Sequence, residues 1–434
     1  MGETQSSQTI STQLQAIAER ADREPELQFT SLAHLMGVEF LREAHRRIRK
    51  GGAPGVDGES AEEYGENLEQ NLTELHERLR SGRYIAPPVK RVWIPKDGGK
   101  KRPIGIVTFE DKIVQKAVTM LLEAIFEQDF YEFSMGFRAG RSQHQALREL
   151  RENCLKNNIN WLIDADVCGF FDGMSHEHLR GYLRRRVTDG GLHRLIGKWL
   201  NAGVLEENTL HYPEAGSPQG GVISPLLSNI YLHNVLDEWF VEVVQPRLRG
   251  KSFLLRFADD FIIGCEREDD AQRIMEVLPK RFERYDLCIH PTKTRLVNFE
   301  KPPPGGPGNA GTFDFLGFTH YWGRSRQGNW VIKRKTAGKR VSRTLKGLRE
   351  WCRENRHEPL KEQYRTLCQK VRGHIQYFGI IGNYEALKNV VNGVQKAWRY
   401  WLSRRSHRSK IRWEIFEKLL EKMPLPRARI VHQL

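Results

Sequence analysis

The chain has 434 residues, of which 39% are hydrophobic, including ten Trp and twenty Phe. This composition excludes a disordered protein, and the length predicts about two or three domains. No apolar run is long enough to span a bilayer and the polar N-terminus shows no export signal, so we expect a cytoplasmic protein without a membrane partner. The six cysteines form no Cys-x-x-Cys pair, which argues against structural zinc.

Positive charge is concentrated at the end of the sequence. The net charge is +15, but residues 331–434 alone contain 26 Lys and Arg against 8 Asp and Glu, a net of +18. A charge run is usually a solvated surface, yet an imbalance this concentrated favours a polyanionic partner. Aromatic residues alternate with the basic ones and are available either for a core or for base stacking. Nucleic acid is therefore preferred over a membrane.

Periodicity and turn residues predict the main elements in chain order. The predicted elements are a helical stretch near 11–21 inside a polar, loosely ordered segment 1–30, a strand hairpin of 89–95 and 101–107 with a turn at 97–99, a helix over 110–128, a strand over 161–167, a helix over 224–240 and an amphipathic helix over 384–401. The hairpin is strongly cationic on one face.

Two adjacent aspartates, Asp259 and Asp260, lie between the apolar runs 253–257 and 261–265. Those runs are rich in strand-forming residues, so they predict a tight hairpin with both carboxylates at its tip. Asp is a common turn residue, and by itself the pair indicates a solvated surface turn. The alternative is a Mg²⁺ site, because Mg²⁺ takes one or two carboxylates and leaves its other positions to phosphates and water.

Asp166 supports the metal interpretation. It lies at the end of the predicted strand 161–167, where a carboxylate is costly unless it is paired or bound to metal. A strand-end aspartate and a distant Asp-Asp hairpin suit phosphoryl transfer with two metal ions about 3.5–4 Å apart. Polymerases need this arrangement, and so do many nucleases.

The surrounding loops favour a polymerase. Arg102 on the cationic hairpin suits bidentate contact with a triphosphate, and Lys293 suits the leaving pyrophosphate. Gln219 lies in a glycine-bracketed turn that a nucleotide can approach closely, and Phe170 and Phe171 suit an apolar wall beside the sugar. Read singly, Lys293 is better interpreted as a surface lysine and the two phenylalanines as core residues. Their order along the chain is what favours the polymerase.

Several stretches in this order resemble bacterial group II intron reverse transcriptases, which are also maturases. The stretches that carry the resemblance are 53–58, 101–106, 136–142, 166–172, 217–227 and 256–262. The resemblance implies an α+β right-hand polymerase, with fingers and palm over 31–330. It also implies a basic helical thumb over 331–434, called domain X, which grips intron RNA and promotes splicing.

The resemblance assigns roles to individual residues. Asp166, Asp259 and Asp260 match the catalytic positions that hold two Mg²⁺ ions. Arg102 and Gln219 match positions near the incoming dNTP, and Phe171 matches the steric gate that senses a 2′-hydroxyl. The predicted nucleic-acid contacts are Arg138, Arg141, Lys333, Arg334, Lys335, Lys339 and Arg340. The sequence departs from the family pattern at Phe257, where most members have Tyr, and at Cys168, where Lys is common.

The implied function is RNA-directed DNA synthesis in the bacterial cytoplasm. Its partners would be group II intron RNA, an RNA template with a DNA primer, dNTPs and target DNA. The pattern at 425–430 is similar to members that lack a DNA-binding extension and a nuclease module. The open alternatives are a splicing-only RNA-binding maturase and a host-adopted reverse transcriptase in repair or defence, with a nuclease as a distant third. The sequence carries no signal for oligomeric state.

Overall fold

The computed structural model describes residues 2–95, 101–206, 209–212, 216, 220–304, 306, 310–406 and 410–433. The helices are α1 Gly2–Arg23, α2 Val38–Arg47, α3 Ala61–Glu66, α4 Leu68–Arg80, α5 Phe109–Phe126, α6 Gln143–Lys156, α7 Phe170–Gly173, α8 His176–Arg186, α9 Gly190–Leu200, α10 Ser224–Leu232, α11 Glu268–Glu283, α12 Gly338–Glu354, α13 Leu360–Phe378, α14 Tyr384–Leu402 and α15 Trp413–Lys422. The strands are β1 Val89–Pro95, β2 Lys101–Ile106, β3 Trp161–Cys168, β4 Val204–Glu206, β5 Thr209–His211, β6 Ser252–Phe257, β7 Asp260–Cys265, β8 Cys288–Ile289, β9 Arg295–Asn298, β10 Phe313–Phe315, β11 Phe318–Arg324 and β12 Trp330–Thr336. Helices combined with sheets whose strand pairs are mostly antiparallel confirm the predicted α+β class.

The strands form three sheets. One sheet has the order β2-β1-β4-β5, and a second has the order β10-β11-β12. The third has the order β6-β7-β3-β8, with β9 also paired to β3. This third sheet is important for the site, because it makes β3 the hydrogen-bonded neighbour of both β7 and β8.

Contacts divide the chain into two compact units. Unit 1 comprises residues 1–142, 165–263 and 269–295, and unit 2 comprises residues 143–164, 264–268 and 296–434. The N-terminal 30 residues belong to unit 1. The division into a polar segment over 1–30, fingers and palm over 31–330 and thumb over 331–434 stays a prediction.

The N-terminal segment contains a longer helix than the stretch near 11–21 that the sequence predicts, whereas the loose order expected of residues 1–30 stays a prediction. Its helix α1 buries Ile10 and Ala21. The Arg186 guanidinium donates hydrogen bonds to the carbonyls of Ala21, at 2.8 Å, and Pro25. The backbone of Phe29 then pairs with that of residues 186–188. A few apolar residues in a polar stretch give a weak periodic signal, and the anchoring arginine is distant in sequence.

The predicted helix over 110–128 is α5, the apolar centre of unit 1. Its N-terminus is capped by Thr108, whose hydroxyl accepts a hydrogen bond from the Asp111 backbone at 3.3 Å. Ile113, Val114 and Leu121 are fully buried. The predicted helix over 224–240 begins as α10 and continues as two π-helical segments, His233–Asp237 and Trp239–Val244. Both predictions of a helix are confirmed.

In unit 2, the C-terminal residues are helical, as the sequence predicted. The stripe on α14 is buried at Leu387, Val394 and Trp398, where the Trp398 indole N–H donates to the Gln363 side chain at 2.9 Å. A Cβ on Gly393 would lie 2.4 Å from a Leu345 methyl carbon, so glycine permits a close approach of α12 to α14. Within the described residues no helix is long and apolar enough to cross a membrane.

Candidate active site

The Asp259-Asp260 pair lies at the tip of the β6–β7 hairpin. Apolar side chains on both strands are buried, among them Leu255 and Ile262. Asp259 is half-buried and Asp260 is exposed. Ala258, which precedes the pair, has a positive φ of 59°, a conformation that is uncommon for a residue with a side chain. The predicted hairpin is confirmed, with a strained turn carrying the two carboxylates.

A buried arginine fixes this turn from below. Arg256 in β6 has no exposed surface, and its guanidinium donates to the Asp237 carboxylate at 2.6 and 2.8 Å. It also donates to Asn229 Oδ1 at 2.9 Å, to Ser134 Oγ at 2.7 Å and to the Ala258 carbonyl at 3.2 Å. Each of the three guanidinium nitrogens therefore donates to at least one acceptor. The last of these bonds ties the network directly to the strained residue of the turn.

A glycine packs directly against the same turn. A Cβ on Gly136 would lie 2.2 Å from the Ala258 backbone nitrogen, which no side chain can tolerate. The neighbouring backbone is paired with β6, because the Met135 N–H donates to the Arg256 carbonyl and the Arg256 N–H to the Phe133 carbonyl, both at 2.9 Å. Glycine is therefore required here for a close backbone approach. In the sequence, Gly136 is marked only by its place in the stretch 136–142, which carries the family resemblance.

Asp166 lies on the open face of β3. Burial alternates along the strand, with Ala165 and Val167 buried and Asp166 and Cys168 half-buried. The backbone of Asp166 is fixed by β8, since its carbonyl accepts from the His290 N–H at 2.8 Å. Because β3 is the hydrogen-bonded neighbour of β7, this carboxylate lies on the strand beside the one that begins at Asp260.

Lys293 forms an ion pair with the Asp166 carboxylate. The lysine side chain is about half exposed, at 52%, and the carboxylate is 26% exposed. The structure therefore gives Lys293 a defined partner at the site, whereas the sequence read singly favoured a plain surface lysine. Its predicted contact with pyrophosphate stays a prediction.

The role of the three aspartates as metal ligands stays a prediction. In the part of the chain that the structure describes, no group of three or more His, Cys, Asp or Glu side chains is arranged to hold a metal ion. Carboxylates repel one another, and here the Lys293 ammonium neutralises Asp166. The donor set itself fits a hard divalent cation, because carboxylate oxygens lie on two neighbouring strands and such ions take phosphate oxygens as further ligands.

The two phenylalanines after β3 have different environments. Gly169 adopts a left-handed conformation that turns the chain into the short helix α7. Phe170 is buried and packs edge-on against Phe171 and Tyr231. Phe171 remains half-buried. The core interpretation therefore fits Phe170, and Phe171 keeps the exposed surface that a steric gate requires.

Two glycines bring the predicted nucleotide-binding segments together. A Cβ on Gly216 would lie 2.6 Å from the Phe171 carbonyl, and a Cβ on Gly220 would lie 2.2 Å from the Gly105 carbonyl in β2. On either side of Gln219, Gly216 thus packs against the Phe171 segment and Gly220 against the strand of Arg102. Gln219 itself lies outside the described residues, as does the hairpin turn 97–99. Arg102 is exposed on β2.

The two arginines in the stretch 136–142 both have acidic partners within the protein, which was not expected. Arg138 is only 8% exposed, and its guanidinium donates to the Glu127 carboxylate at 2.9 Å and to the carbonyls of Tyr131 and Ser134 at 2.7 Å each. Arg141 is paired with Glu132. These contacts favour a structural role for both arginines in place of the predicted contact with nucleic acid. The sequence analysis missed the local acidic partners.

The basic residues of unit 2 that are predicted to contact nucleic acid differ in their exposure. Lys335, Lys339 and Arg340 are exposed and Lys333 is half-buried. Arg334 is on the opposite face of β12 and is only 3% exposed, with its guanidinium donating to the Leu147 carbonyl at 3.1 Å. Strand alternation explains the difference. The buried position argues against a direct phosphate contact for Arg334.

One basic and aromatic cluster in unit 2 was missed by the sequence analysis. The guanidinium of Arg404 lies 3.5 Å from the Tyr400 ring centroid, and that of Arg349 lies 5.4 Å from it. Both arginines are exposed. Such a stack offers cationic and planar surfaces to a nucleic acid. The alternation of basic and aromatic residues was the available signal, but it did not identify which members meet.

Comparison with known proteins gives both a family match and individual relatives. Residues 94–320 match the model described as reverse transcriptase (RNA-dependent DNA polymerase). Protein YkfC of Escherichia coli (strain K12) is 39% identical over 240 residues, which are 54% of this chain and 63% of that protein. Group II intron-encoded protein LtrA of Lactococcus lactis subsp. cremoris is 35% identical over 225 residues, 49% of this chain and 37% of that protein.

A third relative is an uncharacterized 91 kDa protein in the cob intron of Schizosaccharomyces pombe. It is 41% identical over 185 residues, 43% of this chain and 22% of that protein. The chain therefore covers less than two thirds of the length of each of these relatives. The family match to residues 94–320 includes Asp166, Asp259 and Asp260.

Proposed function

We infer the function from one premise: the chain belongs to the reverse transcriptase family, whose model matches residues 94–320, just over half of its length. The proposed activity is RNA-directed DNA synthesis, in which the 3′-hydroxyl of a DNA primer attacks the α-phosphate of a dNTP. The observation that carries the proposal is that Asp166 lies on β3 and Asp260 begins the hydrogen-bonded neighbouring strand β7, with Asp259 directly before it, inside the matched region.

Reverse transcriptases generally use divalent metal ions, and Mg²⁺ is the ion we propose here because the donors are carboxylate oxygens. Asp166, Asp259 and Asp260 would hold two such ions, which stabilise charge on the attacking and leaving oxygens. The Arg256 network holds the turn that presents two of these carboxylates. Preorganised positions matter because small misplacements of reacting groups reduce rates steeply.

The remaining groups bind and orient the nucleotide in this proposal. Arg102 contacts the triphosphate, and Gln219 is a second contact with the incoming nucleotide. Phe171 limits the space next to the sugar and so disfavours a 2′-hydroxyl. Lys293 balances the charge of Asp166 before the reaction and carries a proton that the leaving pyrophosphate can take.

Primer extension on an RNA template tests the activity. The Asp259→Ala variant should lose about a thousandfold in rate, because several kcal/mol of charge stabilisation are removed. The matched control is Glu276→Ala, which removes an exposed carboxylate from α11. Equal synthesis by Asp259→Ala and the control would refute the proposal.

A second proposed role is intron RNA binding that promotes splicing and mobility. The net charge of +18 over residues 331–434 favours it, as does the similarity to a group II intron-encoded protein. A splicing-only maturase would keep this role without DNA synthesis, and a host-adopted enzyme would copy RNA in repair or defence without it. Intron RNA, an RNA template with a DNA primer, dNTPs and target DNA are the proposed partners.

Charge reversal in unit 2 tests the second role. Lys335→Glu, Lys339→Glu and Arg340→Glu together should weaken intron RNA binding and reduce the salt slope of log affinity by about two, since each lost phosphate contact removes about 0.7–0.9. Reversal of the exposed Arg23, Arg83 and Lys280 in unit 1 is the control. An unchanged slope in the unit 2 variant contradicts the role. Splicing that persists in Asp259→Ala separates RNA binding from DNA synthesis.

A further inference from the structure

Strands β3 and β8 place two cysteines opposite each other beside the candidate active site. Their antiparallel register pairs Val167 with Ile289 and Cys168 with Cys288. Both cysteines are free thiols, Cys168 half-buried and Cys288 exposed, and their side chains are within hydrogen-bonding reach of each other. Opposed residues in antiparallel strands have Cα atoms about 4.5–5.5 Å apart, within the range of about 4.4–6.8 Å that a disulfide spans.

We propose that Cys168 and Cys288 are a redox pair that forms a reversible cross-strand disulfide beside Asp166. The other four cysteines, Cys154, Cys265, Cys352 and Cys368, are buried, so the exposed Cys288 is the thiol that an oxidant in solution reaches first. Cys168 is then the resolving thiol, because the strand register already holds it opposite. The pair needs no movement of a loop or domain to meet.

A peroxide is the proposed oxidant, and the reaction balances in two steps. The Cys288 thiolate attacks one oxygen of hydrogen peroxide, so that an S–O bond forms, the O–O bond breaks and the departing hydroxide takes up a proton to become water. The Cys168 thiolate then attacks the sulfenic sulfur, forming the S–S bond and releasing the second hydroxide, which is also protonated to water. Two thiols are oxidised, one peroxide is reduced and two waters are produced. A small dithiol reverses the reaction.

The register also predicts that closure disturbs the site. The His290 N–H bonds to the Asp166 carbonyl, which makes these two residues a hydrogen-bonded pair. Such pairs recur every second residue, so Cys168 and Cys288 form the next one. Opposed side chains are farther apart in hydrogen-bonded pairs than in the non-hydrogen-bonded pairs that alternate with them, whereas a disulfide needs Cβ atoms about 3.8 Å apart.

Closing the bond therefore draws the two strands together two residues from Asp166. Asp166 and Cys168 share the open face of β3, and β8 leads directly into the segment that carries Lys293. Drawing the strands together displaces the carboxylate of Asp166, and a displaced catalytic carboxylate lowers the rate of nucleotide transfer. The same strain makes the disulfide easily reduced, which is the property of a reversible switch.

The test uses the full chain, treated with hydrogen peroxide and then with dithiothreitol. Mass spectrometry of the oxidised wild type should find one peptide pair linked through Cys168 and Cys288. Primer extension should fall about tenfold and recover after reduction. Cys288→Ser and Cys168→Ser should form no such link and should keep their rates in peroxide. The control Cys352→Ala, in a buried cysteine of unit 2, should respond as the wild type does.

Two results would overturn the proposal: oxidation of other thiols without the Cys168–Cys288 link, or an equal loss of rate in wild type and Cys288→Ser. Only the rate measurement rests on the proposed polymerase activity, since the link is scored by mass spectrometry. A protein that forms the link when oxidised but does not extend a primer even after reduction contradicts the proposed function and still supports the redox pair.

Discussion

Two strands of this molecule each bury an arginine, and the two arginines have opposite surroundings. Arg256 in β6 of unit 1 is fully buried with the Asp237 carboxylate and three neutral acceptors around it. Arg334 in β12 of unit 2 is almost as buried, yet among the described residues no acidic side chain lies within ion-pair distance of it. Burial and the nearby charges of Arg151 and Arg148 lower the pKa of Arg334 to about 10.

The difference teaches how the two regions use charge. A buried cation with a buried anion is a fixed structural unit, and removing one partner leaves the other uncompensated. A buried cation without an anion costs free energy and stabilises nothing that depends on its charge. In the β6–β7 region, the buried charges of Arg256 and Asp237 hold the backbone in place. The charges of β12 and the helices after it are mainly exposed and contribute to a shared positive surface.

The largest expected effect is that of breaking the Arg256 network. Arg256→Met should lower the free energy of unfolding by about 3–5 kcal/mol, because it leaves the buried Asp237 carboxylate without its arginine, with only the His233 ring 4.0 Å away. Urea unfolding measures the loss. The double variant Arg256→Met, Asp237→Leu removes both charges and should recover much of it. A loss below about 1 kcal/mol in the single variant would contradict the structural role of the pair.

A smaller effect on stability is expected when the pH is lowered, through His320, the residue that faces Arg334. His320 pairs with Arg334 in the β11–β12 register and is fully buried against Phe313. Burial, with the charge of Arg334 as a second cause, lowers the pKa of His320 to about 3. The unfolded chain therefore binds a proton below about pH 6.5 while the folded chain does not, so stability falls as the pH falls from about 6.5 towards 3.

The variant His320→Phe isolates this contribution. When the pH is lowered from about 6.5 to about 5, the free energy of unfolding should fall by about 1.5 kcal/mol less in this variant than in the wild type. The reason is that one group contributes at most about 1.4 kcal/mol per pH unit. The exposed His34→Ala serves as the control and should keep the wild-type dependence. Parallel pH profiles for the wild type and His320→Phe would show that His320 is protonated in the fold.

The smallest effect is expected for Arg334, the residue that is compared with Arg256. Arg334→Met should change the free energy of unfolding by less than about 1 kcal/mol, because no buried anion is left behind and the desolvation cost of the cation disappears. Urea unfolding beside Arg256→Met gives the direct contrast. A loss as large as that of Arg256→Met would mean that Arg334 has a strong partner after all, and the contrast between the two strands would fail.

The sequence by itself determined the local features. The Asp259-Asp260 hairpin, the strand of Asp166, the helix α5 and the stripe on α14 all follow from periodicity and turn residues, and the structure confirms them. The excess of positive charge at the C-terminus is also a property of the sequence. These signals are readable because side-chain period and turn propensity act over a few residues.

Only the tertiary structure decided which partners distant residues meet. It placed Arg186 against the Ala21 carbonyl, Lys293 against Asp166 and Cys168 opposite Cys288. Nothing in the local pattern distinguishes a basic residue that reaches solvent from one that is enclosed with an acid, because that choice depends on packing between segments far apart in the chain. The Asp-Asp pair could be predicted from the sequence, whereas the arginine and the glycine that hold it in place could be identified only in the fold.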